Sequence, residues 1–498
     1  MALSWRRSRT TASTSIANVS IPAVWPATSA SALAGHLGHN EDFAVANAIA
    51  VPLTGWLTRR FGPVRLFTAS VLLFVLTSWL CGVAPSIELL ILFRVLQGLV
   101  AGPMIPLSQT LLLSSYPRAM AGTAMAFWGM TTLVAPVAGP LLGGWITDTI
   151  SWPWIFYINI PVGLLSAAMT WKLYHKRDPG PAKVRLDAVG LTLLVVWVGA
   201  LQIMVDKGKE LDWFGSPLIV ALAVVAVVGF LFFLAWELTD SHPIVDLRLF
   251  ARPSFAIGTV TLALAYALFF GNIVLLPLWL QQWMGYTATQ AGMVMAPVGI
   301  FAILLSPVVG RNVGRMDARK IAAFSFVGFA FVLWLRSRFN TEAPFETILL
   351  PTLLQGIATA CFFIPLQTVI FNGLAPHEMP AASGLSNFAR ITAGAVGTSI
   401  FTTAWEDRAA MHHAHLAEAV GPANAGAADV LARLHAAGLS DPAALALVNH
   451  VADQQAFTIA ATDLYWLSAL LFLALIALLW LSPAPRRAGG GAAVAAAE

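Results

Sequence analysis

Apolar runs, each closed by a few polar residues, recur from one end of this chain to the other. That repeat constrains the fold more than any other feature, because a helix crossing a bilayer needs about 20 consecutive apolar residues. Thirteen such spans are read near 43–57, 65–84, 87–113, 121–146, 152–172, 187–205, 217–237, 256–281, 289–310, 320–336, 346–371, 381–404 and 462–482, with 43–57 short. A weaker stretch, 15–26, precedes them. No strand-like alternation is present, so the spans are helices, which satisfy their own backbone groups in lipid. The expected class is an all-α polytopic membrane protein. Of the 498 residues 58% are hydrophobic and 10% charged, where a soluble domain carries roughly 25% charged. No polar stretch is long enough for a separate soluble enzyme. Cys81 and Cys361 both lie in apolar runs and read as packing residues rather than a disulfide.

The net charge of +4 is no nucleic-acid signal once the charges are placed. Assigning alternate connections to opposite faces puts seventeen Lys and Arg on the face holding 58–65, among them Arg59, Arg60, Arg65, Lys172, Arg185, Arg248, Arg252, Arg311, Arg315 and Arg319. The other face holds six: Lys207, Lys209, Arg336, Arg338, Arg408 and Arg433. Cytoplasmic connections carry the basic excess, so the first face is expected to be cytoplasmic. Arg6, Arg7 and Arg9 at one end and Arg486 and Arg487 at the other then both favour the cytoplasm. That requires an even number of spans, so 15–26 counts and the total is fourteen.

The longest stretch between spans, 405–458, falls on the outer face and shows helical patterning in 427–437 and 442–456. His412, His413 and His415 cluster there, but no acidic or cysteine partner stands at ligand spacing. No metal site is expected; a solvated hairpin that touches a partner protein is. The end of the chain, 483–498, is Ala- and Gly-rich and reads as a flexible tail.

Three motifs carry mechanism. Gly55-Trp-Leu-Thr-Arg59-Arg60-Phe-Gly62, followed by Arg65, joins two spans, and Gly310-Arg311-Asn-Val-Gly-Arg315 stands at a matching place later in the chain. Glycine permits a tight turn between close helices, and arginine can latch carboxylates or helix ends. Either copy alone would pass for an ordinary basic loop; two in corresponding positions suggest an internal repeat, as transporters often have. The second motif is Arg94-Val-Leu-Gln97-Gly98. Arg94 lies well inside a span, where an arginine costs at least ~2.5–3.5 kcal/mol unless it meets a partner or water. It is expected to bind backbone carbonyls or tune a nearby carboxylate in proton coupling. The third is Pro136-Val-Ala-Gly139-Pro140-Leu-Leu-Gly143-Gly144. Small residues four apart let helices approach, and each proline bends the axis. This element reads as a packing kink, a hinge between two rocking halves, or both.

Together these motifs resemble the major facilitator superfamily, and within it the fourteen-span drug/proton antiporter branch of the EmrB/QacA type, nearest its EmrB-like members. Stretches such as FAVANAIAVPLTGWL, WELTDSHPIVDLRLF and ASGLSNFAR are similar to EmrB-like sequences. The resemblance runs from about 43 to 482. It implies a major facilitator fold with about 14 helices and export of hydrophobic, drug-like compounds from the inner membrane in exchange for protons. It implies no cofactor beyond the proton gradient. EmrB-like pumps work with a periplasmic adaptor of the EmrA type and an outer-membrane channel, and 405–458 would face that adaptor. The expected parts are 1–42, a degraded first span and loop; 43–172, the rest of an N-terminal six-helix half; 173–255, two extra central spans; 256–482, a C-terminal half containing the outer loop 405–458; and the tail.

The chain departs from the family in two places. Arg59 stands where the first-loop motif normally has Asp. More seriously, the family's first span carries an embedded Asp, and the corresponding residue here is Ser13, with Arg6, Arg7 and Arg9 upstream. No other carboxylate lies deep in a span: Asp148, Asp187, Glu237 and Asp240 all stand at ends. Residues 25–42 also fail to match. Codons chosen for Trp25–Ser31 and read one base earlier spell VAGNLGV, and those for Gly35–Glu41 shifted the other way contain GTWVIT, both family-like. A change of reading frame would account for both.

A multidrug pocket is apolar and aromatic with a few adaptable polar groups. Candidate lining residues are Gln109, Phe127, Trp128, Tyr266, Phe269, Asn272, Phe363, Gln367, Asn387 and Phe388, with Arg390 added by the argument used for Arg94. Each is also explicable as helix packing. A membrane-embedded enzyme would need a nucleophile–base pair or metal ligands within spans, and none is found. A non-transporting sensor or scaffold is the alternative, since the first-span Asp is missing.

Overall fold

The computed structural model describes residues 40–116, 120, 124–125, 128–129, 131, 146, 149–178, 180, 185–241, 243–313, 315–419 and 425–483. The expectations for Ser13, the 15–26 span, most of the 121–146 span, the 25–39 window, Phe127, Pro136, Gly139, Pro140, Gly143, Gly144 and the 484–498 tail lie outside these residues. Among the described residues every regular element is a helix.

The first group comprises α1 (Asn40–Ala50), α2 (Thr54–Phe61), α3 (Pro63–Gly82), α4 (Ile87–Ala101), α5 (Met104–Ser115), α6 (Trp154–Tyr157) and α7 (Asn159–Tyr174). Two central helices follow, α8 (Ala188–Lys207) and α9 (Pro217–Thr239). The last group holds α10 (Pro253–Gln282), α11 (Ala288–Val313), α12 (Ala318–Arg336), α13 (Phe345–Ala360), α14 (Phe363–Ile370), α15 (Met379–Ala419), α16 (Ala425–Ala436) and α17 (Asp441–Trp480). Start signals are local. Proline opens α3, α9, α10 and α17, where its missing N–H costs nothing. Ser86 caps α4, and the Asp187 carboxylate caps α8 by accepting from the Gly190 N–H at 2.9 Å.

Ten of these helices or coaxial pairs are long and apolar enough to cross a membrane: α3, α4–α5, α6–α7, α8, α9, α10, α11, α12, α13–α14 and α17. The four other expected spans have distinct fates. Two lie wholly or mostly outside the described residues. The 43–57 span is broken by a turn at 51–53 into α1 and α2, and 381–404 lies within α15. The 87–113 span is interrupted at Gly102-Pro103, because proline removes a helix hydrogen bond.

The expected outer loop 405–458 is largely regular structure. α15 has 41 residues and α17 has 40, so each is about 60 Å long, twice the roughly 30 Å hydrocarbon core. The two run on beyond that length as a packed pair, tied where the Trp405 indole donates to the Phe457 carbonyl at 2.8 Å. Here Asp463 accepts from Arg408 at 3.1 Å and meets His412 at 2.9 Å, and Asp453 meets His413 at 2.7 Å. The histidine cluster thus finds its acidic partners on the facing helix, which linear spacing could not reveal.

Contacts between connections gather at two ends of the bundle, and the division matches the charge split. At one end Arg65 pairs with Asp178 at 3.5 Å, the Trp56 indole donates to the Arg185 carbonyl at 3.0 Å, Arg59 reaches the Pro243 carbonyl at 3.5 Å, and Arg252 binds Glu378 at 2.5 Å. At the other, Lys209 pairs with Glu406 at 2.8 Å, Trp213 donates to Thr403 at 2.9 Å, and Gln455 donates to Thr341 at 2.8 Å.

Candidate functional site

The first and last helix groups meet along a seam where buried polar side chains form a connected chain. Gln109 on α5 and Ser383 and Asn387 on α15 are all fully buried. The Gln109 side-chain oxygen accepts from the Ser383 hydroxyl at 2.5 Å and from the Asn387 amide at 3.1 Å. Arg390, one turn further along α15 and 5% exposed, donates from one terminal nitrogen to the Asn387 oxygen at 2.8 Å. Its other terminal nitrogen donates to the Tyr266 hydroxyl on α10 at 2.6 Å. The guanidinium lies 4.7 Å from the Tyr266 ring and 5.3 Å from Phe363. Aromatic faces and neutral oxygens thus stabilise a cation buried without a carboxylate partner among the described residues. Its Nε has no acceptor among them. A buried, preorganised donor of this kind suits a ligand oxygen or another hydrogen-bond acceptor.

Aromatic rings wall this chain. Trp128 stacks on Phe363 at 5.2 Å and donates to Ser108 at 3.0 Å. Tyr266 stacks on Phe362 at 5.7 Å and Phe270 at 5.3 Å, and Phe269 stacks on Phe362 at 6.0 Å. Six of the expected pocket residues, Gln109, Trp128, Tyr266, Phe363, Asn387 and Arg390, therefore form one site, with Phe269 in its wall. Three do not join it. Asn272 donates to Ser468 at 3.0 Å and ties α10 to α17. Gln367 is fully buried with neither amide atom partnered among the described residues. Phe388 points away, edge-on to Trp197 of α8 at 5.8 Å. The one-residue step from Asn387 turns it by about 100° around the helix, so it takes a different face.

Beside the site the seam is tight. A Cβ on Gly55 would lie 2.8 Å from the Ala381 Cβ, so α2 and the start of α15 touch where any side chain would separate them. Gly62 closes α2 at φ +85°, a conformation that L side chains rarely adopt. Next to it the Arg65 backbone N–H donates to Asp178 at 3.2 Å, placing a carboxylate at the start of α3 where the helix dipole favours it. Arg59 is exposed and Arg60 half-buried. In the later copy, Gly310 is buried in the last turn of α11, while Arg311 and Arg315 are exposed and have no side-chain partner among the described residues. The latch there is Arg319: it binds Asp317 at 2.7 Å, donates to the Ser482 carbonyl at 2.8 Å and covers Trp480 at 4.9 Å. Its guanidinium holds the Asp317 carboxyl below the usual range.

Arg94 donates to the Gln97 side chain at 2.8 Å, and Gln97 donates to Ser78 at 2.7 Å. The guanidinium covers Phe43 at 4.6 Å and Phe156 at 5.7 Å. It belongs to the first group's own interior and joins α1, α3, α4 and α6.

Two buried charges escaped the sequence reading. Arg336 ends α12 and looks like a flanking residue, yet it is fully buried, donating to Gln355 at 2.6 Å and Thr352 at 3.2 Å. Glu237 stands near the end of α9 as expected, but it is 1% exposed and accepts from the Val245 N–H at 3.1 Å. Both lie where a helix end folds beneath a following segment, and span-end position alone cannot distinguish that from solvent.

The fold is shared with solved transporters. The human organic anion transporter MFSD10 (TETRAN) superposes with a TM-score of 0.57 at 13% identity, over 94% of this chain and 88% of that one. The proton:xylose symporter XylE gives 0.56 at 16% identity, over 92% and 88%. Sequence relatives are far nearer. Multidrug export protein EmrB of Escherichia coli (strain K12) is 47% identical over 96% of this chain and 93% of its own length. Fatty acid resistance protein FarB of Neisseria gonorrhoeae is 44% identical over 96% and 94%. The Major Facilitator Superfamily model matches residues 10–398. With its helices, its seam and its relatives in agreement, the chain belongs to the Major Facilitator Superfamily, in the branch that holds EmrB, FarB and EmrY.

Proposed function

We propose that this protein is built to export hydrophobic, drug-like compounds across the inner membrane in exchange for protons, with transport by the chain as it stands limited by Ser13 at the position of the family's first-span Asp. The observation that carries the reading is the polar chain Gln109–Ser383/Asn387–Arg390–Tyr266, which crosses the seam between the two helix groups inside aromatic walls. A site of this composition accepts varied apolar molecules while a few polar groups orient them. Its cross-seam hydrogen bonds are also the contacts that must part when the two groups rock. Names of relatives support the substrate class: EmrB is a multidrug export protein and FarB a fatty acid resistance protein.

The basic end of the bundle is cytoplasmic in this reading, as are both termini. The parts of the chain are the first span and loop (1–42), the rest of the N-terminal half (43–172), the two central helices (173–255), the C-terminal half (256–482) and the tail. The Gly55–Arg65 and Gly310–Arg315 connections and the Pro136–Gly144 element gate movement of the halves, and Arg94 supports proton coupling. The outer α15–α17 pair leaves Leu447 and Val451, one turn apart on α17, exposed on one face. That apolar patch, beyond the membrane, suits a periplasmic adaptor of the EmrA type, which would lead on to an outer-membrane channel.

A second reading, a non-transporting sensor or scaffold, is favoured by Ser13 at the position of the family's first-span Asp. The experiment is dye accumulation in inside-out vesicles under an acid-inside gradient, using this chain and a version with the first span rebuilt. Gradient-dependent accumulation by either version supports export. Its absence from both, at normal membrane levels, favours the scaffold.

A further inference from the structure

The two central helices enclose a cavity that the export site does not use. It has a volume of about 600 Å³ and lies between α8, α9, the 245–251 segment and the face of α15 opposite the polar chain. Trp197, Phe230, Leu238, Leu385 and Phe388 line it, and among the described residues Arg248 is the only charged one in its wall. Phe230 is 41% and Leu238 53% exposed. On a helix embedded in a bilayer such surface faces hydrocarbon, so the cavity opens sideways into lipid.

We propose that this cavity holds an acyl chain of an anionic phospholipid, drawn from the leaflet at the arginine-rich end, with its phosphate on Arg248. The length of apolar wall suits a hydrocarbon chain, and the charge sits at the end where a headgroup would lie. Arg248 is exposed, makes no ion pair among the described residues, and donates only at 3.5 Å to the Asp240 carbonyl. Its planar fork is free to bind a phosphate through two hydrogen bonds. Arg59, which reaches the neighbouring Pro243 carbonyl at 3.5 Å, adds a second positive charge at that end. Inside the cavity, Trp197 is 7% exposed and its indole N–H has no acceptor among the described residues. The site is independent of the export reading, since it needs only the membrane and the observed packing.

The test uses the full chain, purified in detergent, stripped of lipid and examined by native mass spectrometry. Phosphatidylglycerol and phosphatidylcholine with identical chains are titrated separately, with inorganic phosphate as a headgroup-only control. One phosphatidylglycerol should bind at least about fivefold more tightly than phosphatidylcholine, and Arg248→Gln should erase that difference. Ala389→Trp, which fills the cavity, should remove the tight site for both lipids. In vesicles, phosphatidylglycerol carrying a photoreactive group on its chain should crosslink to peptides containing Trp197 and Leu385. Unchanged preference in Arg248→Gln, crosslinks confined to other helices, or full displacement by inorganic phosphate would each overturn the proposal. Displacement by an export substrate such as ethidium would do so too, by making the cavity a drug site.

Discussion

Arg390 uses both arms of its guanidinium, one on Tyr266 and one on Asn387. A lysine brings one compact charge and cannot hold both partners. In a version of the protein that transports, Arg390→Lys should therefore lose most of its export, about tenfold or more, nearly matching Arg390→Ala; each missing charge-assisted bond is worth roughly 1.5–3 kcal/mol. Dye accumulation at equal membrane levels measures this, and full activity in Arg390→Lys would reduce the fork to packing. Arg94 is held differently, donating to the Gln97 oxygen and lying over two ring faces. Arg94→Ala should abolish export with the protein still in the membrane, while Lys, which can satisfy one oxygen and one ring, restores part of it. The sequence made both arginines legible through the cost of charge in a span. It could not rank the neutral candidates, because the same helix carries Asn387 inward and Phe388 outward. Only packing tells that Asn272 serves α17 and that Gln367 joins no network among the described residues.

Elements were legible where periodicity and stop signals agreed. Proline and aspartate at helix starts, and apolar runs between basic connections, placed α3 and α8 to α12 within a few residues. Less legible were the interruptions, since the turn at 51–53 carries no charge, and the extent of α15 and α17, whose outer halves are ordinary amphipathic helix rather than membrane span. At this scale two outcomes are expected. Gly98 of α4 faces the Phe43 carbonyl of α1 so closely that no Cβ fits. Gly98→Ala should force the helices apart and destabilise the protein by roughly 1–3 kcal/mol, the usual cost of overpacking, read as lower thermal stability in detergent. Val420→Cys, placed between α15 and α16 in a cysteine-free background, should label from the periplasm in intact cells. Labelling only after the inner face is opened would invert the proposed orientation.

At the scale of the whole molecule, the uneven distribution of buried charge decides what the chain can do. Among the described residues two acidic side chains are buried: Glu237, committed to the Val245 N–H at the end of α9, and Asp178, its side chain 2% exposed and paired with Arg65. Buried arginines are present at Arg336 and Arg390. Proton exchange needs a carboxylate that alternates between protonated and charged forms in a partly desolvated site, where burial raises its pKa and a nearby arginine lowers it. The family's first span supplies such a group, and Ser13 cannot titrate. Arg6, Arg7 and Arg9 further oppose an apolar first span, each at a cost of about 2.5–3.5 kcal/mol if placed mid-membrane. The protein of this sequence is therefore expected to show little or no proton-coupled export. A version with an apolar first span, Asp at position 13 and GTWVIT restored before Phe43 should be active. The two are compared in inside-out vesicles at equal expression under the same imposed pH gradient. Equal pumping would mean that the proton travels without the first-span carboxylate, and Glu237→Gln in the unaltered chain would then be the variant to separate a proton carried on α9 from one carried elsewhere.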